Sequence, residues 1–472
     1  MLFNSNPYVL LLVSTFILYN LVPAGFRKYV LIAGSAVFYA SWSLPFLLML
    51  YGIITVNYIA GLLIESMPDR KKLILTVSIA FDVAAIGLFK YTNFLIGAFG
   101  GAAAFAGFHP ALPRCNIILP LGISFYTFQL MSYAADVYRG RIAAKKNFPD
   151  FVVYVSFFAH LIAGPIVRCG EFFSQKLYER SKPENVVRGA RLILLGMFQK
   201  ILIADRLSVY ADRVFADPGN FDSWQVAAAV YAYTFQIYFD FSGYSLIAIG
   251  SALLFGIVFP TNFSGPYLAA NVADFWRRWH MTLSRWLRDY LYIGLGGSRG
   301  SRLATYRNLF ITMFLCGLWH GAAWNFVLWG VYHGVLLFLY NLHREFLLPR
   351  IGFFTKRKSL IVHWAGVFIT FHLVAAGWIM FRARGMNDQT VVFSKLLNFK
   401  GDFLSALSPF CNNETIFVLA AYSFYSLLTH AGADVYAGLN FRRKALACAL
   451  VALTILKLVP RLETVPFIYF QF

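Results

Sequence analysis

An all-α, polytopic integral membrane protein is what this sequence predicts, and three observations predict it. Of 472 residues, 59% are hydrophobic and 13% charged, with a mean hydropathy of +0.63; soluble globular domains carry roughly 25% charged residues. Apolar windows close to the ~20 residues that cross a bilayer as a helix recur from end to end. The 41 Lys and Arg, set against 21 Asp and Glu, fall between those windows rather than in a separate basic domain. They mark membrane-flanking loops, anionic lipid headgroups and an anionic substrate, not a nucleic-acid surface.

In chain order the windows are Tyr8–Val22, Val30–Trp42, Phe46–Ile64, Leu73–Phe89, Ile117–Ala135, Gln225–Gly250, Ala322–Tyr340, Leu360–Met380, Ile416–Leu428 and Ala445–Val459. Shorter apolar pieces at Phe151–Ile166, Leu192–Ile203 and Leu309–Leu318 are short, or interrupted by Gly or charge, and read as re-entrant or interfacial. Roughly 10 to 13 embedded helices around a central tunnel are expected. Basic clusters recur after even numbers of spans: Arg27 and Lys28, Arg70 to Lys72, Arg139 to Lys146, Lys356 to Lys358 and Arg442 to Lys444. By the positive-inside rule they face the cytoplasm, which sets the N-terminus outside. The first window has no basic run before it and no small-residue cleavage site after it, so it reads as a retained span. No Pro-, Ser- or Gly-rich linker and no internal repeat divides residues 1–472, which are expected to form one membrane domain.

Cys115, Cys169, Cys316, Cys411 and Cys448 are scattered without C-x-x-C spacing, so neither a disulfide framework nor a metal site is expected. The sequons at Asn262 and Asn413 are short enough to arise by coincidence. Gly294–Gly297 lacks the preceding strand and the following Lys-Ser/Thr of a nucleotide loop and reads as a turn. No G-x-S-x-G elbow and no H-E-x-x-H pair is present, which disfavours a serine hydrolase or zinc protease.

The segment "DFWRRWHMTLSRWLRDYLYIGLGGSRGSRLATYR", Asp274 to Arg307, holds seven arginines and two aspartates and cannot span a bilayer. As one helix to about Tyr292 it would be amphipathic, with Arg277, Arg278, Arg285 and Arg288 near the headgroups and Trp276, Trp279 and Trp286 at the interface.

Two histidines stand in the apolar run "GLWHGAAWNFVLWGVYHG", Gly317 to Gly334. On a single straight helix His320 and His333 would lie on nearly opposite faces about 20 Å apart and could not share a site. His320, between Gly317 and Gly321, is where a backbone or ligand can approach closely; His333, beside Tyr332, suits a packed imidazole. Ionisable residues at membrane depth default to function, while a buried neutral imidazole satisfied by one donor and one acceptor is the structural alternative. His280 ends "FWRRWH". It is either an interfacial histidine among aromatic anchors or, if it faces one cavity with His320, part of an acid–base pair. Asp240, in "YFDFSGYS", is costly in hydrocarbon and needs a partner, an arginine of the basic segment or a histidine. That partnership is structural or fixes a catalytic imidazole's tautomer. Gln236, on the same window, donates to a reactant or bonds a neighbouring helix.

"YFDFSGYS", "FWRRWHMTLSRWLRDYLYIGLGG" and "GLWHGAAWNFVLWGVYHG", in this order, resemble the signature blocks of the membrane-bound O-acyltransferase family, and most closely its bacterial alginate O-acetyltransferase branch. The likeness extends to "MLFNSNPYVLLL", to Leu119–Gly140, to "HLIAGPIVR" at His160–Arg168 and to the terminal "FIYFQF". The resemblance implies that His320 is catalytic and that His280 holds the position of an asparagine in eukaryotic relatives. It further implies acetyl-CoA as donor substrate, with no permanently bound cofactor, and a separate periplasmic SGNH-hydrolase-like protein that passes the acyl group to an exopolysaccharide. The location implied is the bacterial inner membrane. One departure is that Ser245-Leu246-Ile247 stands where the branch reads Ser-Asp-Met, so the acceptor here can differ from alginate.

The candidate site therefore comprises His320 and His280 for catalysis, and Arg277, Arg278, Trp279, Arg285, Arg288, Trp319 and Asn325 for substrate and acyl-CoA. Asp240, Gln236, Ser242 and Tyr244 are its support. Basic and aromatic residues can hold a nucleotide's phosphates and base, and a neutral imidazole suits removal of the attacking hydroxyl's proton. The alternative is a transporter or flippase for polymer or acylated carrier, with Asp240 and the histidines as a proton relay. A third reading is a structural subunit of a synthase complex, with no chemistry of its own.

Overall fold

The computed structural model describes residues 1–113, 115–347, 360–407 and Phe467. Within these the elements are helices, with no strand. They are α1 (Asn6–Leu21), α2 (Ala24–Ala40), α3 (Leu44–Ser66), α4 (Lys71–Ile86), α5 (Thr92–Phe105), α6 (Ile123–Tyr138), α7 (Phe148–Ser156), α8 (Cys169–Phe173) and α9 (Pro183–Met197). There follow α10 (Asp205–Ala216), α11 (Ser223–Leu254), α12 (Val272–Arg278), α13 (Met281–Trp286), α14 (Arg302–His320), α15 (Trp324–Leu342), α16 (Leu360–Arg382), α17 (Met386–Leu397) and α18 (Phe403–Leu407). The expected all-α polytopic class is what the chain forms. Five described helical stretches are long and apolar enough to cross a membrane: Leu44–Ser66, Pro68–Phe105, Ser223–Leu254, Trp324–Phe346 and Leu360–Arg382. The windows Ile416–Leu428 and Ala445–Val459, the basic clusters at 356–358 and 442–444, Cys411, Cys448, Asn413 and all of the terminal motif except Phe467 lie outside the described residues.

α1, α2, α3, α4, α6 and α7 pack in sequence-neighbour fashion into one part of the bundle, and α9, α10, α11, α15 and α16 into another. Between hydrocarbon-facing helices apolar area gives little drive, and close backbone packing has to supply it. Glycines spaced seven residues apart do so where α9 meets α11. A Cβ on Gly189 would stand 2.8 Å from the Gly250 carbonyl oxygen, and one on Gly243 would stand 2.7 Å from that of Gly196.

π turns, each a local widening of the helix, interrupt the α pattern at Gly87–Tyr91, Phe198–Ala204 and Leu287–Tyr292. Such turns cluster at functional positions. The first carries Leu73–Phe89 onward into α5 without a loop. The second lies at the end of the Leu192–Ile203 window, whose residues continue α9 rather than forming an interfacial piece. Phe151–Ile166 is α7 followed by irregular chain that is buried throughout, the circumstance in which non-helical backbone is tolerated at membrane depth.

One expectation about continuity is overturned, and one condition is not met. Asp274–Tyr292 is not one interfacial helix: it breaks at Trp279 and His280, and Trp276, Trp279 and Trp286 are buried rather than at a headgroup surface. Aromatic mass outweighs the arginine pattern here, because Trp279 packs on Phe275 and Trp378 and Trp286 stacks on Phe128 at 3.9 Å. Gly317–Gly334 is likewise two helices, separated at Gly321–Ala323. α14 and α15 fold back on each other because Gly317 and Gly330 bring their backbones together; a Cβ on Gly317 would be 2.9 Å from Gly330 Cα.

Candidate active site

His320 is the last residue of α14, and its ring is buried. The close approach expected at Gly317 and Gly321 is real, but the neighbours are the backbone of α15 and the Phe326 ring rather than a ligand. Because the chain reverses after His320, the imidazoles of His320 and His333 both pack against Trp329, with centroids 4.9 and 4.7 Å from it. They are therefore far nearer than the ~20 Å a single helix would impose. His333, fully buried and also against Trp276 and Phe275, is the packed imidazole of the two.

His280 sits at the break between α12 and α13 with φ +40° and ψ 55°, a left-handed conformation uncommon outside glycine. Asn262 holds it there. The Asn262 carboxamide oxygen is 3.0 Å from His280 Nδ1 and accepts from the Thr282 hydroxyl at 2.9 Å and the Thr282 N–H at 3.3 Å, while the Asn262 main-chain carbonyl accepts from Met281 N–H at 2.9 Å. Asn262 Nδ2 donates to Ser245 at 3.2 Å, and the Thr282 hydroxyl accepts from Ile166 N–H at 3.0 Å. One buried carboxamide thus ties three sequence blocks together. With Nδ1–H directed at Asn262, the His280 acceptor is Nε2, which is buried and has no hydrogen-bond partner among the described residues.

Two cavities meet at Trp319. The smaller, about 110 Å³, is lined by His320, Trp319, Lys90, Ser124, Phe125 and neighbours of the loop entering α6. Gly122 forms its wall with φ +75°, where a Cβ would strike the Leu161 carbonyl. The larger, about 710 Å³ and mostly apolar, follows α6 through Phe128, Met131, Ala135, Tyr138 and Arg139, a run of roughly 16 Å at helical rise. Phe125 and Phe128 both pack on Trp319, with centroids 5.6 and 5.4 Å away. The indole, whose N–H has no hydrogen-bond partner among the described residues, is the partition between the two spaces. His280 lies 6.3 Å and His320 4.8 Å from the same indole, so both flank Trp319 despite the 40-residue separation, although His280 is not among the residues lining either cavity.

The remaining candidates are dispersed. Arg277 is exposed, Arg278 pairs with Asp274 at 2.9 Å, Arg285 with Glu171 at 3.7 Å and Arg288 with Asp289 at 2.6 Å. Arg139 lines the large cavity; it and Arg168 lie over the ring of the lining residue Tyr290, and Lys71 lies over that of Tyr138. Asn325 is buried and donates to the Ala383 carbonyl at 3.0 Å, tying α15 to the end of α16. Asp240 has a charged partner in Lys200, in the second π turn, which lies 2.7 Å from Asp240 and 2.6 Å from Asp205. Glycine packing between α9 and α11 is what brings Lys200 within reach. Tyr244 belongs to that neighbourhood, stacked on Phe467 at 4.3 Å and under Lys200. Gln236 and Ser242 are buried on α11. Among the described residues no group of His, Cys, Asp and Glu is arranged to hold a metal ion.

A family model described as MBOAT, membrane-bound O-acyltransferase family, matches residues 141–381, a span that holds His280, His320, Lys200 and Asp240. The chain is also 40% identical over 414 residues to a protein of Azotobacter vinelandii named probable alginate O-acetylase AlgI, covering 86% of this chain and 80% of that one. The chain belongs to the membrane-bound O-acyltransferase family. Further relatives are a Helicobacter pylori peptidoglycan O-acetyltransferase, 36% identical over 81% of this chain and 76% of its own length, and a Bacillus subtilis teichoic acid D-alanyltransferase, 27% identical over 58% and 71%.

As a multi-pass membrane-bound O-acyltransferase, the chain keeps two site residues that its sequence did not announce. Lys90 lies outside the matched span and reaches His320 across 230 positions. Asn262 is 1% exposed, and its sequon reads only as a coincidence. For Lys90 a signal existed, a lone lysine in an apolar helix; for Asn262 there was none.

Proposed function

We propose that this O-acyltransferase takes an acetyl group from cytosolic acetyl-CoA and passes it across the membrane for O-acetylation of an extracytoplasmic polysaccharide, with His320 as the general base. The observation that carries the reading is the pair of cavities divided by Trp319. One is lined by His320; the other is an apolar cavity that runs along α6 to Arg139. A pantetheine arm suits such a cavity, and the phosphates of the nucleotide suit the guanidinium groups of Arg139 and Arg168 around Tyr290. The thioester would reach His320 past Trp319. There the imidazole takes the proton of the attacking hydroxyl, a contribution of about 10² to 10⁴ in rate, in a space that excludes bulk water. Acetyl and a glycan acceptor are supported by relatives whose names carry alginate and peptidoglycan acetylation.

In this reading the chain resides in the bacterial inner membrane with its N-terminus extracytoplasmic. A separate extracytoplasmic SGNH-hydrolase-like protein completes transfer to the polymer, and efficient polymer acetylation by the purified chain alone would refute that part. Asp240 is held by Lys200, which gives the flippase alternative, with Asp240 in a proton relay, less support than transfer chemistry. His320→Ala separates the two: loss of acetylation with intact polymer secretion supports the transferase, and lost secretion with unchanged acetyl content supports the flippase.

A further inference from the structure

Lys90 stands in the π turn that joins α4 to α5, inside the longest apolar helical stretch described. Its ammonium donates to the main-chain carbonyls of Trp319 at 2.6 Å and His320 at 2.9 Å, and the adjoining Tyr91 hydroxyl donates to that of Leu318 at 2.5 Å. These carbonyls end α14 and have no intrahelical N–H to accept from, so two of the lysine's three N–H groups serve as a cap. That leaves one. Lys90 lines the same small cavity as His320, and among the lining residues it is the cationic one. The α14 carbonyls carry the negative end of the helix dipole and hold the ammonium in a fixed position at the wall of the cavity that His320 also lines, the arrangement that makes a hydrogen-bond donor effective toward developing charge.

We propose that Lys90 is a catalytic residue that holds the acyl oxygen during transfer, an inference that rests on His320 being the base. The acceptor's hydroxyl oxygen forms a bond to the thioester carbon and its proton passes to His320. The carbonyl π pair moves onto the acyl oxygen, where the third N–H of Lys90 meets it. Collapse restores the carbonyl, breaks the C–S bond and releases thiolate, which takes the proton back from His320.

The test uses membrane vesicles from the native cells, carrying the full chain and its acceptors, with acetyl-CoA as probe and initial thiol release per folded chain as readout. Lys90→Gln keeps an amide donor for the α14 carbonyls and removes the ammonium. Expected is a fall in kcat of about 10² to 10³, with KM for acetyl-CoA and the melting midpoint close to wild type, and substantial retention of rate in Lys90→Arg. Full turnover by Lys90→Gln overturns the proposal, as does a rate loss matched by loss of folded protein. If Lys90→Gln does not fold, Lys90→Ala with ethylammonium decides: restored turnover supports the role and its absence sinks it. His320→Ala is run alongside. Activity in that variant removes the base itself, whereas an inactive His320→Ala beside a fully active Lys90→Gln removes Lys90 alone.

Discussion

The carboxamide oxygen of Asn262 lies 3.0 Å from His280 Nδ1 and accepts from Thr282 as well, so a single side chain fixes the ring and the backbone break that presents it. Asn262→Leu would leave these donors buried without an acceptor, at about 1–3 kcal/mol each. A lower melting midpoint together with lost acetylation is expected, and Asn262→Asp, which keeps the acceptor oxygen, should retain more of both. Equal behaviour of the two variants would count against a hydrogen-bonding role.

Trp319 divides the two cavities, and Trp319→Ala should join them. Discrimination between acyl chains by a fitted apolar wall amounts to about 10–200-fold per methylene. The ratio of kcat/KM for butyryl-CoA over acetyl-CoA should therefore rise by about 10-fold or more. A ratio equal to wild type means the indole does not bound the acyl site.

Lys200 stands between two buried carboxylates, at 2.6 Å from Asp205 and 2.7 Å from Asp240. Lys200→Met removes the cation between the two carboxylates, and breaking a buried pair costs about 3–5 kcal/mol. Thermal melting in detergent should show that loss, and adding Asp205→Asn and Asp240→Asn should recover most of it. A single variant as stable as wild type would show that the charges are screened by another route.

Asp289 supplies a pH dependence outside the spanning segments. Burial pushes its carboxyl up, but hydrogen bonds from Arg288 and Arg168 outweigh burial and hold it below the ordinary value. A group held low in the folded state stabilises above its unfolded pKa, about 3.9, and that contribution is lost as pH falls through the folded value. Acidification below about pH 4 should lower the melting midpoint, and Asp289→Asn should flatten that limb. The same slope in both proteins would exclude Asp289 as its source.

What could be read from the sequence followed from local rules. Hydropathy gave the class, the glycines around His320 marked a close approach, and the block containing His280 stood out by its arginine and tryptophan content. What could not be read depended on long-range packing. Whether the apolar run passed straight through Gly321–Ala323 was open in the sequence, and the α14–α15 contact at Gly317 and Gly330 decides for reversal. Arginines that promised a headgroup surface were outvoted by Trp279 and Trp286, whose burial bends the segment inward. Lys200 was hidden as Asp240's partner because only the glycine seam between α9 and α11 brings positions 200 and 240 together.

The π turn at Gly87–Tyr91 makes the Lys90 contact sensitive to chain length. Deleting one residue of the regular helix α4 before that turn would rotate Lys90 about the helix axis by about 100°, carrying the ammonium away from the end of α14. Lineages that keep this lysine should accordingly tolerate side-chain exchange along the lipid face of the rod far more readily than a single-codon gain or loss upstream of it.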